Sequence, residues 1–136
     1  MKISNPIIFL FIICLMAHFS FGQKSFNSCS AVFLNNKMLV NEYSITGKCT
    51  LDITAKGNLT VSTVQLSSTE SKAIEPIMFQ VAIRNKETGT LMLVSKEQLK
   101  KIEISKVLEK CRKGDHIIIL TLNDDYVLPH NEILVL

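Results

Sequence analysis

The chain has 136 residues, with 15 lysines and arginines against 12 aspartates and glutamates, a formal net charge of +3, 47% hydrophobic residues and no tryptophan. That length suits one domain around one core. The charges are interspersed, with Lys100-Lys101 and Lys110-Cys111-Arg112-Lys113 as the dense basic spots, too little for a surface that tracks phosphates, which argues against nucleic acid as a partner.

The chain opens on Lys2, an unbroken apolar run from 7 to 17, and Ser20-Phe21-Gly22, which places small residues three and one before a cut ahead of Gln23. This is the pattern of a secretory signal peptide, whose apolar region spans roughly 7 to 15 residues, short of the roughly 18 or more that cross a bilayer. Residues 1–22 are therefore expected to be cleaved, leaving 23–136 as a single β-rich domain that is exported to the periplasm, the cell envelope or the extracellular space. The mature chain then holds 14 basic against 12 acidic residues. The block Ile117-Ile118-Ile119-Leu120 extends only to Leu122 and is bounded by Asp115-His116 and Asn123-Asp124-Asp125, the length of a buried strand, so no transmembrane segment is expected after cleavage.

Cys14 falls within the signal, leaving Cys29, Cys49 and Cys111. Three thiols in an oxidising compartment suggest one disulfide and one leftover. All three pairings are open; Cys29 with Cys49 is favoured because both sit in predicted strands while Cys111 falls at a helix end. Such a loop would contribute roughly 3 kcal/mol in the chain-entropy model. The alternative is three buried, unpaired thiols acting as small hydrophobes.

From about 30 to 94 the chain reads as short strands separated by polar turns. Segments 31–34 and 38–43 flank Asn35-Asn36-Lys37, a hairpin signal, and 49–54 alternates apolar with polar residues. After Ala55-Lys56-Gly57-Asn58, the run from Leu59 to Leu66 reads as one alternating strand, with Gly57 able to supply a positive φ. Segment 67–75 is polar and ends at Pro76, which predicts an exposed, mobile connection. Ile77, Phe79, Val81 and Ile83 alternate with polar and small residues, and Asn85-Lys86-Glu87-Thr88-Gly89 turns that strand into 90–94, the clearest hairpin of the chain.

One helix is expected between 95 and 112. Ser95 with Gln98 resembles a capping box, but Ile104, Val107, Leu108 and Cys111 keep the better spacing of i, i+3, i+4 and i+7, with Ser105 as N-cap and Gly114 closing the helix in the left-handed conformation. Strands at 116–122 and 132–136 follow. About eight strands and one short helix before the last two strands define a mostly β protein, an antiparallel β-sandwich of immunoglobulin-like or related type.

The segment from about 76 to 136 carries an alternating strand, a glycine turn, a short serine-started helix, Lys113-Gly114-Asp115, a strongly apolar strand, Val127-Leu128-Pro129 and the closing strand Ile133-Leu134-Val135-Leu136. It resembles the C-terminal domain of the GldM/PorM family, the periplasmic shaft proteins of Bacteroidetes gliding motility and type IX secretion. The end of the signal, Phe-Gly-Gln, is similar to Bacteroidetes export signals. A full shaft protein is several times longer and keeps an uncleaved transmembrane helix, so the resemblance implies a related fold and a general role in protein contact rather than the shaft itself. It brings no catalytic residues.

The residues themselves offer little chemistry. His116 and His130 are the histidines after the signal, and His116 could approach Cys111 across the Gly114 turn, yet a satisfied strand-end histidine is the better reading. No CxxC, HxH or HExxH occurs, so no metal is expected. Asn123-Asp124-Asp125 lacks calcium-loop spacing and reads as a turn. Asn58-Leu59-Thr60 is a glycosylation sequon only in a eukaryotic host. Without a phosphate loop or nucleophile elbow, the chain is expected to be no enzyme and to need no cofactor. The favoured reading is an exported, non-enzymatic protein-interaction module with a protein partner, contacting it through an edge strand or the 67–76 segment. The alternative is a carrier or inhibitor with an apolar ligand pocket.

Overall fold

A computed structural model describes residues 28–66, 71–122 and 125–136. The signal region 1–22 lies outside them, as do 67–70 of the polar segment and Asn123 and Asp124 of the turn. The described residues form eleven strands and one helix in chain order: β1 (Ser28–Leu34), β2 (Lys37–Met38), β3 (Cys49–Leu51), β4 (Asn58–Gln65), β5 (Lys72–Pro76), β6 (Gln80–Arg84), β7 (Leu91–Leu93), β8 (Ile102–Glu103), α1 (Ile104–Leu108), β9 (His116–Leu120), β10 (Tyr126–Val127) and β11 (Glu132–Val135). They build the two sheets of a β-sandwich. The first runs β10-β1-β4-β5, with β2 also on β1 and β8 also on β4; the second runs β3-β11-β9-β6-β7. Most pairs are antiparallel, as alternation predicts, but β10 on β1 and β3 on β11 are parallel, so both sheets are mixed at one edge.

The hairpin β1–β2 turns on Asn35 and Asn36, both at positive φ (50° and 64°). This is the two-residue turn whose twist matches paired strands, and asparagine tolerates that backbone better than most side chains. Asn35 also ties this turn to the next: its Oδ1 accepts the Asn58 amide at 3.1 Å and its Nδ2 donates to the Lys56 carbonyl at 3.3 Å. A single alternation does not run through β4. Leu59 and Val61 share one parity and Val64 and Leu66 the other, because the register with β5 shifts between Ser62 and Val64. Five residues expected to belong to a loop, Lys72–Pro76, are instead the exposed edge strand β5.

Between the sheets, Val32, Leu59 and Val61 meet Val81, Ile83, Ile117, Ile119, Ile133 and Val135, with Phe79 fully buried among them. Each such side chain contributes about 1.5–3 kcal/mol by leaving water. In the second sheet, rows of paired residues separate the faces: Ile83, Ile117, Ile133 and Cys49 point to the core, while Ala82, Ile118 and Glu132 point away.

The helix is shorter than its sequence pattern. Ile104, Val107 and Leu108 bury their side chains as the spacing requires, but the cap is Glu103, without a side-chain capping bond, and Ser105 is inside the helix. The reason is the approach. Ile102 and Glu103 pair with β4, and the Ile104 amide donates to the Gly57 carbonyl at 2.8 Å, so a ladder partner satisfies an amide that a serine would otherwise cap. Ser95 makes only a local bend through Glu97, and Leu99 forms a bridge with Phe79.

Beyond the helix, Gly114 adopts φ +94° and the chain enters β9. Its amide donates to the Val135 carbonyl (2.8 Å), and the Asp115 carbonyl accepts the Val135 amide (3.0 Å). The Asp115 side chain, only 4% exposed, accepts the Arg112 amide at 2.7 Å and the Lys86 amide at 3.1 Å. It thereby joins the end of the helix segment to the turn that makes β7. The Arg112 amide first, then the Lys86 amide and both positive charges, hold this carboxyl below the usual carboxylate range against the cost of burial.

Asp115→Ala is expected to cost about 2–4 kcal/mol, since two amides lose a charged acceptor. Because the folded carboxyl titrates below its unfolded value of about 3.9, its contribution is complete above that value and disappears as pH falls through the lower, folded value. Urea unfolding of the wild type and Asp115→Asn should therefore show a stability gap that narrows below about pH 4; a pH-independent gap would contradict this role for the carboxylate.

Candidate functional site

Two surface features present chemistry: a cleft near one edge of the second sheet, and the opposite edge itself. The cleft has a volume of about 450 Å³ and is lined by Cys49, Thr50, His116, His130, Glu132 and Leu134, among others. It brings both histidines to one place, together with a cysteine other than the one expected. Cys49 Sγ donates to the main-chain carbonyl of His130 at 3.7 Å, whereas Cys111 Sγ donates to the Val107 carbonyl at 3.4 Å. Sequence distance hid the first contact, because it arises where β3 pairs in parallel with β11 and so brings 49 beside the residues that precede 132.

Cys49, His130 and Glu132 in this cleft are engaged in structural contacts. The His130 ring places Nε2 2.7 Å from the Ser44 carbonyl, which fixes the Nε2–H tautomer, and lies 5.3 Å edge-on to Tyr43, while its Nδ1 is buried with no hydrogen-bond partner. Tyr43 donates to the Ser30 carbonyl at 2.9 Å; burial first, then Cys29, pushes its phenol up to about 12. Glu132 pairs with Arg84, and His116 Nε2 stands 3.9 Å from the same carboxylate, beyond hydrogen-bond reach. Burial, then Arg84, lowers the His116 pKa against the opposing pull of Asp115, so its ring is largely neutral at pH 7. Burial pushes the Cys49 thiol up to about 11, and burial, followed by Asp115, does the same to Cys111. A thiol held protonated and bonded to a carbonyl oxygen is a poor nucleophile. Among the described residues, no three His, Cys, Asp or Glu side chains form a group that could hold a metal, and no helix is long and apolar enough to cross a membrane.

The favoured Cys29–Cys49 disulfide is not formed; the three cysteines among the described residues are free. Cys29 has the opposite parity to the inward Val32 and lies exposed on the first sheet, while Cys49 faces the core from β3 in the second.

The opposite edge of the second sheet is β7. Leu91, Met92 and Leu93 are 57%, 48% and 47% exposed, so a whole apolar strand stands in water. The Asn85 amide donates to the Thr90 carbonyl and the Val94 amide to the Val81 carbonyl. In an antiparallel ladder such pairs recur at every second residue, so Thr90, Met92 and Val94 bond to β6 while the amides and carbonyls of Leu91 and Leu93 point off the sheet. The strand carries no charge and no proline. By contrast, β5, an edge of the first sheet, is exposed throughout but carries Lys72, Glu75 and Pro76, residues that discourage strand addition. The Asn85–Gly89 turn predicts a hairpin strand at 90–94; the strand order adds that no other described strand lies beyond it in the sheet.

Comparison with protein-family models, curated proteins and solved structures gives no match for this chain. Its own surface therefore carries the functional reading.

Thiol labelling checks the cysteine assignment. In the folded mature chain, residues 23–136, one equivalent of a maleimide should react quickly, at Cys29, with Cys49 and Cys111 reacting only on unfolding; one thiol in total in that chain would instead indicate a bridge.

Proposed function

We propose that the chain is an exported, non-enzymatic β-sandwich that works by contacting protein in the periplasm or at the cell surface, with β7 as its contact edge. The observation that carries this reading is the apolar strand Leu91–Leu93, exposed on both faces, with the backbone groups of Leu91 and Leu93 pointing off the sheet and no other described strand beside them. Export is supported by Lys2, the apolar run from 7 to 17 and the small residues before Gln23. The resemblance of 76–136 to the C-terminal domain of the GldM/PorM shaft proteins agrees with a role in envelope protein contact. The raised thiols and the structural engagement of His130 favour binding over catalysis. Phe79, Leu59, Ile104 and Ile117 fill the space between the sheets, which favours a contact surface over an internal ligand carrier.

Proline scanning tests the edge. At Leu91, proline removes an amide that points off the sheet, whereas at Met92 it removes a ladder bond to β6. Leu91→Pro should keep the circular dichroism of the wild type but lose at least about tenfold in recovery of a crosslinked envelope protein, since main-chain bonds give such contacts their affinity. Met92→Pro should lower stability. A partner recovered equally by wild type and Leu91→Pro would move the contact elsewhere, and no specific partner for the wild type would count against the reading.

A further inference from the structure

We infer that the partner of β7 is the β7 of a second copy of this chain, paired antiparallel about a twofold axis at Met92; this rests on the reading of β7 as the contact edge. The strand offers two outward residues, Leu91 and Leu93. In the twofold arrangement Leu91 of each copy lies opposite Leu93 of the other, both with their amides and carbonyls aimed across the gap. All the outward backbone groups of β7 are then paired. The two five-stranded sheets join into one of ten. A register centred on Leu91 or Leu93 would instead place one of these residues opposite Gly89 or Ser95, outside the strand.

The side chains match as well as the backbone. Leu91 and Leu93 lie on the outward face, in the rows of Arg84 and Ala82, so the axis gathers four leucines there and sets Met92 against Met92 on the other face. Arg84, the charge in that row, is held by Glu132 and presents no unneutralised repulsion across the axis. Each end of β7 is flanked by one lysine and one glutamate, Lys86-Glu87 in the turn before it and Lys96-Glu97 after it. Antiparallel pairing brings the turn of one copy towards the bend of the other, so each flank meets both signs of charge. Three half-exposed side chains per copy fall short of the about 800 Å² per partner of a standard stable interface, which makes the dimer weak and concentration-dependent, with dissociation constants of about 1 µM upward.

The test is sedimentation equilibrium of the purified chain over about 5 µM to 1 mM, a range that spans weak association, with the variants Met92→Glu and Met92→Lys. The wild type should show a monomer–dimer equilibrium. Each variant places like charges opposite each other on the axis and should lose at least about tenfold in self-affinity, while their equimolar mixture, with opposite charges on the axis, should dimerise again. Recovery in the mixture also shows that the variants remain folded. A wild type that stays monomeric throughout, or a dimer indifferent to both charges, overturns the inference. If the chain is monomeric but Leu91→Pro still releases a different envelope protein, the second copy is wrong and the edge reading stands; if neither self-association nor any partner responds to β7, both fall.

Discussion

The buried carboxylate of Asp115 is the joint on which the second sheet is set. It accepts amides from two segments that are remote in sequence, Arg112 after the helix and Lys86 in the β6–β7 turn, while its own backbone and that of Gly114 bond to Val135 in the last strand. An ionised group with so little exposure persists because charged hydrogen bonds replace its hydration. Gly114 makes the geometry available: at φ +94° a side chain would be strained, and an added Cβ would also stand 2.6 Å from Lys86 Cδ. The consequence reaches the surface, since the turn held by Asp115 is the one that delivers β7 to the sheet edge.

That edge is unusual in what it lacks. A strand with free amides and carbonyls invites another strand, and edges are commonly blunted with charge, proline or cover. β5 follows this rule, whereas β7 presents three large apolar side chains and no charge. Leaving them in water forgoes the gain that burial would bring. An interaction that covers them gives the arrangement a physical reason, and the position of β7 at the end of β3-β11-β9-β6-β7 gives that interaction room.

Much of the fold was legible in the residues, because period-2 runs such as Ile77 to Ile83 specify a strand and the face it buries. The Asn35-Asn36 and Asn85-Gly89 turns were legible for the same reason: their backbone demands suit few residue types, and both form hairpins. The misreadings share one cause, which is that local pattern does not report pairing. Lys72–Pro76 reads as part of a loop because 67–75 is polar and ends at Pro76, yet its backbone adds to β4. Ser105 looked like a cap, but β8 enters the helix directly from a ladder. Cys29 and Cys49 both lie on strands as expected, but Cys29 is exposed on the first sheet while Cys49 faces the core from the second, a difference no spacing could reveal. The meeting of Cys49 with the His130 carbonyl and the exposure of β7 likewise depend on strand order, which sequence alone left open.

Amide hydrogen exchange of dilute protein, read residue by residue across 90–94, tests most directly whether β7 is an open edge. The account predicts alternation: fast exchange at Leu91 and Leu93, whose amides point off the sheet, and slow exchange at Met92 and Val94, whose amides bond to β6. Uniform protection across the strand at low concentration would show that something already covers the edge, and would contradict the account.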